Sequence, residues 1–153
     1  MKQMYIIALE GINCAGKGTQ KELVRERMED EGYDVFLVPQ AKNDEAFSKI
    51  QGRGRGTYLL SDPIKDTYDW AEYFENQYND FLDCMNQCDI AIFDRYKACF
   101  EVFQNYFLEE IAKIKTDVSP LLAHLPDPNM SFYLDISLEE ALRRYENRGG
   151  GKE

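Results

Sequence analysis

Hydrophobic and polar positions divide the chain into four short apolar runs separated by segments with helical periodicity. The apolar runs span residues 4–9, 33–38, 90–93 and 130–135. Short runs of this kind, rich in strand formers, fit strands buried between two helical layers. Helical patterns span residues 17–31, 43–50, 62 onward, 97–115, 119–125 and 137–147. The first strand, helix and second strand in succession predict a parallel, right-handed unit.

A glycine-rich segment joins the first strand to the first helix. Gly11, Gly16 and Lys17 form the pattern Gly-x-x-x-x-Gly-Lys, which in this setting predicts a phosphate-binding P-loop. Glycines let several backbone N–H groups converge on one anion, and the helix N-terminus adds partial positive charge. Lys17 supplies a charge for the β- and γ-phosphates. Gly18 stands where a Mg²⁺-binding Ser or Thr usually follows the lysine, and Thr19 comes one residue later, on another side of the helix.

The third strand ends in Asp94-Arg95-Tyr96. Because the carboxyl ends of parallel strands face the ligand, we expect Asp94 to emerge beside the P-loop. An acid there can hold Mg²⁺ through water or accept a proton, and Arg95 can bridge transferring phosphates. The alternative is a surface salt bridge at a strand end.

Length and charge narrow the class of protein. The 153 residues predict a single domain. The formal net charge of −10 argues against broad binding to nucleic acid or to anionic membranes. No apolar run approaches the roughly 20 residues of a membrane span, and the first run is too short for a signal peptide. We therefore expect a cytoplasmic protein without nucleic-acid or membrane partners.

Two further segments carry candidate chemistry. Arg53 and Arg55 alternate with glycines at residues 52–56, which form either a solvated linker or a basic loop that meets phosphate. Trp70 lies beside an apolar stripe on the long helix, which packs in the core or at a subunit interface, although one aromatic there could stack on a base. The four cysteines are expected to be reduced. Among them Cys14 lies within the P-loop, where it is either oxidation-sensitive or a tolerated small residue.

Four sequence blocks resemble the thymidylate kinase family of P-loop nucleoside monophosphate kinases. The blocks are Leu9-Glu10-Gly11 with the P-loop and Thr19-Gln20, Asp94-Arg95-Tyr96 with Gln104, Leu125-Pro126-Asp127, and residues 132–135 leading into residues 139–144 and Arg148-Gly149. The resemblance implies an α/β protein with a three-layer α/β/α P-loop NTPase fold. Its parallel sheet is expected in the order 2-3-1-4, with the family's fifth strand missing from this chain. It also implies a homodimer that transfers the γ-phosphate of ATP to dTMP.

The resemblance also assigns roles to individual residues. Expected catalytic residues are Lys17, Asp94, Arg95 and Arg148, with Asp94 as the Mg²⁺ residue. Expected ATP-binding residues are Gly11, Asn13, Ala15, Gly16, Lys17, Gly18, Thr19, Gln20 and Arg144. Expected acceptor-binding residues are Asn13, Arg53, Arg55, Trp70, Arg95, Tyr96 and Gln104. The Gly-Lys-Gly-Thr-Gln run resembles adenylate kinases as well, which implies Mg²⁺ on phosphate oxygens and waters, with Thr19 nearer the α-phosphate.

Some of these roles depend on where the chain departs from or matches the family pattern. The amide oxygen of Asn13 stands in for an Asp that reaches the sugar 3′-hydroxyl. Arg144 and Arg148 lie at the start of an expected lid, at about residues 143–153. Residues 39–42 lack the family's Arg and Glu-Pro pair, which address the acceptor. Residues 69–73 lack the family's base-reading Arg. Arg53 or Arg55 is a candidate replacement for the missing acceptor arginine.

The chain stops at Glu153, whereas the family continues into a fifth strand and an adenine pocket. The sequence is therefore expected to be either a fragment or a minimal form. Two alternative functions stay open at this point. One is a polyphosphate-dependent kinase, and the other is a catalytically reduced nucleotide-binding protein that acts through a partner.

Overall fold

The computed structural model describes residues 4–38, 87–104 and 119–148, together with residues 75, 78, 79, 81, 82, 84 and 85. The longer described ranges contain four strands and four helices. In chain order these are β1 (Tyr5–Glu10), α1 (Lys17–Asp30), β2 (Val35–Leu37), β3 (Ile90–Asp94), α2 (Lys97–Gln104), α3 (Ser119–Leu122), β4 (Met130–Tyr133) and α4 (Leu138–Asn147). Residues 75, 78, 79, 81, 82 and 84 are also helical, as predicted for the long helix. The predicted helix at residues 43–50, the start of the long helix and the predicted helical residues 105–115 lie outside the described residues.

The four described strands form one parallel sheet in the order β2-β3-β1-β4, which confirms the predicted order. Ile7 of β1 pairs with Ile92 of β3, and Leu9 pairs with Phe132 of β4. The same register places Leu9 opposite Asp94, so β1 and β3 end at one edge of the sheet. The loop after β1 and the turn after β3 therefore emerge side by side.

Alternating side chains of the two central strands supply two separate cores. Ile6 and Ala8 face a cluster that includes Phe81 and Cys84 from the helical residues before β3. Side chains on the other face of these strands pack against α1. This second cluster consists of Ile7, Leu9, Ile90 and Ile92, with partly buried residues that include Val24 and Met28. A sheet apolar on both faces must be covered on both, and this gives the predicted three-layer arrangement.

The end of α1 explains why β2 is shorter than predicted. Gly32 adopts φ +90° and donates its N–H to Glu29 O at 2.9 Å. Tyr33 donates its N–H to Met28 O at 3.1 Å, which completes a Schellman cap on the helix. Because Tyr33 belongs to this cap, β2 begins only at Val35 instead of residue 33. The predicted stop of α1 at Gly32 is confirmed.

Helix α4 begins at a side-chain cap. Ser137 Oγ accepts the N–H of Glu140 at 3.2 Å, as the sequence predicts. The Glu140 carboxylate does not return to the cap but accepts from Arg143 and Arg144, at 2.7 and 2.6 Å. These two guanidinium groups lower the pKa of Glu140 to about 2. No helix in the described part of the chain is long and apolar enough to cross a membrane.

Candidate active site

The loop between β1 and α1 has an unusual backbone. Gly11, Cys14 and Gly16 have φ values of +139°, +63° and +99°. At Gly11 an added Cβ would lie 2.7 Å from the carbonyl oxygen of Leu134, so the position requires glycine for space as well as for backbone conformation. Alternation of left-handed and ordinary residues is the geometry that forms anion-binding concavities in protein backbones.

Lys17 is buried, with 6% of its surface exposed, at the first position of α1. Its Nζ donates to the carbonyl oxygens of Gly11 at 3.0 Å and Ile12 at 2.9 Å. Burial lowers the pKa of Lys17, and the nearby charge of Arg95 lowers it further, whereas Asp94 raises it. The ammonium group is thus held over the loop by two carbonyls, at the place where the P-loop pattern puts phosphate.

Asp94 ends β3 beside the start of α1. It is 9% exposed, and its Oδ2 lies 4.0 Å from the position that a Cβ on Gly18 would occupy. The geometric expectation that Asp94 emerges beside the P-loop is confirmed. Among the described residues, no group of three or more His, Cys, Asp and Glu could hold a metal ion. One carboxylate beside a phosphate loop does suit Mg²⁺, which commonly takes one or two carboxylates plus substrate phosphates and water.

Arg95 connects the turn after β3 to the P-loop. Its Nη2 donates to Asn13 Oδ1 at 2.6 Å, and its Nη1 donates to Gly11 O at 3.1 Å and to Cys99 Sγ at 2.8 Å. Burial raises the pKa of the Cys99 thiol, while Arg95 lowers it. The Asn13 oxygen, expected to accept from the sugar hydroxyl, already accepts from Arg95.

Arg144 of α4 and Arg148, which directly follows the last residue of α4, reach the same loop. Arg144 Nη1 donates to Cys14 O at 3.2 Å and lies 3.9 Å from the position that a Cβ on Gly16 would occupy. Arg148 Nη1 lies 4.0 Å from Cys14 Sγ. The structure therefore brings Lys17, Arg95, Arg144 and Arg148 to one loop, although their catalytic and binding roles stay predictions.

The packing of Tyr96 corrects its expected role as a substrate contact. Tyr96 is 1% exposed, and its ring packs on Phe93 with centroids 4.4 Å apart. Its hydroxyl donates to Pro126 O at 3.0 Å. The side chain lies in the core because it continues the apolar layer of β3. Tyr96 therefore serves the packing below the site and is not retained as a contact to the acceptor.

Glu10 is a site residue that the sequence argument missed. It ends β1, is 7% exposed, and accepts the N–H of Tyr96 on Oε1 at 3.0 Å. Burial raises the pKa of Glu10, whereas hydrogen bonds from the backbone of Tyr96 and Cys99 and the charges of Arg95 and Lys17 lower it. The sequence feature that could have identified Glu10 is its position as a charged residue at the end of an otherwise apolar run.

The remaining predicted residues divide into three groups. Ala15 is a buried residue of the loop, whereas Thr19 and Gln20 are exposed on the first turn of α1. Gln104 is the last residue of α2. Arg53, Arg55 and Trp70 lie outside the described residues. Their assignments stay predictions.

Comparison with known proteins decides the family. The family model for thymidylate kinase matches residues 9–153. The chain belongs to the thymidylate kinase family. The predicted family and the predicted P-loop NTPase fold are thereby confirmed.

Two curated relatives of this thymidylate kinase family member are about one quarter identical to it in sequence over the aligned residues. A probable thymidylate kinase from Pyrococcus horikoshii is 27% identical over 154 residues, covering 95% of this chain and 71% of the relative. A thymidylate kinase from Caldanaerobacter subterraneus is 25% identical, covering 93% and 69%. This chain thus spans about seven-tenths of the length of these two relatives.

Solved structures support the fold. The thymidylate kinase of Ehrlichia chaffeensis superimposes with a TM-score of 0.59 at 17% identity, covering 96% of this chain and 83% of that one. The thymidylate kinase of Candida albicans gives a TM-score of 0.61 at 18% identity, covering 92% and 67%. At these identities the likeness concerns the fold.

Proposed function

We infer that this chain is a thymidylate kinase that transfers the γ-phosphate of ATP to dTMP, giving ADP and dTDP. Family membership supports the reaction, and one contact supports the site. Arg95 donates to Asn13 at 2.6 Å, so the turn after β3 is joined directly to the phosphate-binding loop. Phosphoryl transfer needs donor and acceptor phosphates held in line and neutralised, and this junction is where two such groups would meet.

The basic residues can be divided between the two nucleotides. Lys17, Arg144 and Arg148 surround the loop that carries the donor phosphates, so we assign them to ATP and to the transferred phosphoryl group. Arg95 approaches from the neighbouring strand and is assigned to the 5′-phosphate of dTMP. An oxygen of that phosphate forms the new bond to the γ-phosphorus as the bond to the β–γ bridging oxygen breaks. Charge neutralisation by these side chains lowers the barrier.

Asp94 is the residue that would hold Mg²⁺, directly or through water. When bound, Mg²⁺ neutralises charge on the β- and γ-phosphates. The glycine at position 18 adds no hydroxyl, so phosphate oxygens and water would complete the coordination. Thr19 is assigned to the α-phosphate side of ATP.

The wider assignments rest on the sequence and its family resemblance. We assign Gln104, Trp70, Arg53 and Arg55 to the acceptor side, and residues 143–153 to the start of a lid on a single domain. We also propose a homodimer located in the cytoplasm, with no nucleic-acid or membrane partner. The strongly acidic composition supports the last point.

The test is phosphoryl transfer from ATP–Mg²⁺ to a panel of nucleoside monophosphates. The expected result is transfer to dTMP, lost in Lys17→Ala but retained in Arg27→Ala. Arg27 is a matched control because it removes a positive charge from the far, exposed end of α1, where it pairs with Glu31 at 2.8 Å. Transfer from polyphosphate but not from ATP would replace the proposal by a polyphosphate-dependent kinase. Nucleotide binding without transfer to any acceptor would overturn the proposed catalysis.

A further inference from the structure

We propose that Glu10 is a positioning residue for Arg95. Its buried carboxylate holds the turn between β3 and α2 in the conformation that directs the Arg95 guanidinium to the P-loop. This inference deepens the proposed function and rests on it, since Arg95 is there the residue that receives the acceptor phosphate.

The turn at Arg95 has a backbone conformation that a side chain disfavours. Arg95 has φ +77°, in the left-handed region that residues with a Cβ seldom adopt. Such a residue persists only where the surrounding structure holds it. The conformation has a consequence at the site, because the same residue reaches both Asn13 and Gly11 with its guanidinium.

Two consecutive residues of β1 hold the strained turn. The N–H of Arg95 donates to Leu9 O at 2.9 Å, and the N–H of Tyr96 donates to Glu10 Oε1 at 3.0 Å. The first contact uses a backbone carbonyl and is available to any sequence. The second contact requires a side-chain acceptor of the right length. Glu10 supplies this acceptor, although the rest of the strand is mostly apolar.

A carboxylate suits this place chemically. Tyr96 directly precedes α2, and its N–H has no acceptor within that helix. A charged oxygen makes a stronger hydrogen bond to such an N–H than a neutral one. Burial of a carboxylate is nevertheless costly, so an apolar residue would serve β1 better if the strand had only to pack. The choice of Glu10 is therefore explained by the turn and not by the core.

The two oxygens of Glu10 are used unequally, and this suggests the decisive pair of variants. Oε1 accepts the N–H of Tyr96, and the backbone N–H of Cys99 also interacts with the carboxylate, whereas no geometric hydrogen bond from a described residue reaches the buried Oε2. Glu10→Gln keeps one acceptor oxygen for the turn, removes the charge and puts an NH2 group in place of the second oxygen. Glu10→Leu keeps the approximate volume and loses the acceptor. Ile6→Val, which removes a buried methylene from the same strand, controls for a general loss of stability.

The first readout is amide hydrogen exchange, which needs no substrate. In Glu10→Leu the amide of Arg95, whose own acceptor is unchanged, should exchange at least about tenfold faster relative to the amide of Ala8 in β1. Glu10→Gln and Ile6→Val should leave this ratio within about threefold of the wild type. An unchanged ratio in Glu10→Leu would overturn the proposal, and so would an equal acceleration at Arg95 and Ala8. If Glu10→Leu does not fold, the Glu10→Gln variant provides the test. This variant retains the acceptor oxygen, so an about tenfold faster exchange of its Arg95 amide would contradict the proposal.

The second readout separates positioning from general stability. In Glu10→Leu the KM for dTMP should rise by about tenfold, with the KM for ATP within about threefold. Combined with Arg95→Ala, the Glu10→Leu change should add almost nothing, because both act through one guanidinium. Additive effects would overturn the inference while the wild-type activity stands. A wild type that transfers no phosphate to dTMP would refute the proposed function, and the exchange experiment would still decide the role of Glu10.

Discussion

Arg95 Nη2 donates to Asn13 Oδ1 across 2.6 Å, and this contact joins the turn after β3 to the phosphate-binding loop. A guanidinium group can only donate hydrogen bonds, so the side-chain oxygen of Asn13 must face it and the amide nitrogen must face away. No other hydrogen bond of the Asn13 side chain is found within the described residues. The Asn13 side chain therefore helps to hold Arg95 in place, independently of its expected hydrogen bond to the sugar hydroxyl.

Replacing Asn13 tests that role. Asn13→Ala should raise the KM for dTMP by about tenfold, because a hydrogen bond to a charged group is lost. Asn13→Asp keeps an oxygen opposite Arg95 and should stay within about threefold of the wild type. Steady-state kinetics with varied dTMP at saturating ATP gives both values. An Asn13→Ala enzyme with an unchanged KM would show that Arg95 is held without this contact.

Gly11 should tolerate no side chain. Gly11→Ala combines φ +139° with a Cβ placed 2.7 Å from Leu134 O, so we expect a loss of at least ~3 kcal/mol in the free energy of unfolding. Gly32→Ala is the matched control, with φ +90° and no atom within 4 Å of the added Cβ. It should cost only about 1 kcal/mol, from backbone strain alone. Urea unfolding compares the two, and equal losses would contradict the close approach at Gly11.

Gly18 should accept a serine. The added Cβ would lie 4.0 Å from Asp94 Oδ2, an ordinary contact, so Gly18→Ser should fold. Its hydroxyl would stand beside the Asp94 carboxylate and give Mg²⁺ a second protein oxygen. We expect the Mg²⁺ concentration for half-maximal activity to fall by about threefold. Gly18→Ala carries the same Cβ without the hydroxyl and should not show this shift. If both variants respond alike, the proposed Mg²⁺ position beside Asp94 is wrong.

Tyr96 should affect stability and leave acceptor binding unaltered. Tyr96→Phe removes the hydroxyl that donates to Pro126 O at 3.0 Å but keeps the ring on Phe93. The free energy of unfolding should fall by about 1 kcal/mol, the usual net value of such a hydrogen bond. The KM for dTMP should not change. A raised KM with unchanged stability would restore the discarded role as a substrate contact.

Local patterns in the sequence predict the frame of this site well. The residues from Gly11 to Lys17 can be interpreted as a P-loop from the sequence alone, since a glycine loop between a strand and a helix allows few other interpretations. The strand order is expected from the family resemblance, since the chirality of parallel connections fixes the handedness of each unit but not the order of the strands. Asp94 could be placed beside the loop because parallel strands end at the same edge.

The contacts that refine the site depend on tertiary structure. Arg95 has φ +77°, and nothing local distinguishes it from an arginine with ordinary backbone. Tyr96 adjoins Arg95 in the motif, yet its ring points into the core, because adjacency in sequence does not fix the direction of a side chain. The role of Glu10 depends on an N–H that lies 86 positions further along the chain. Such partners become visible only once β1 and β3 are paired.

The most direct test of the division between donor and acceptor sides is a pair of KM values for Arg95→Ala, measured for dTMP and for ATP. The KM for dTMP should rise by about 10- to 100-fold, with less than about threefold change for ATP, because Arg95 is assigned to the acceptor phosphate. Arg144→Ala, which loses the contact to Cys14 O, should show the reverse preference. An Arg95→Ala enzyme with an unchanged KM for dTMP, or with an equal rise for both nucleotides, would contradict the assignment of Arg95 to the acceptor phosphate.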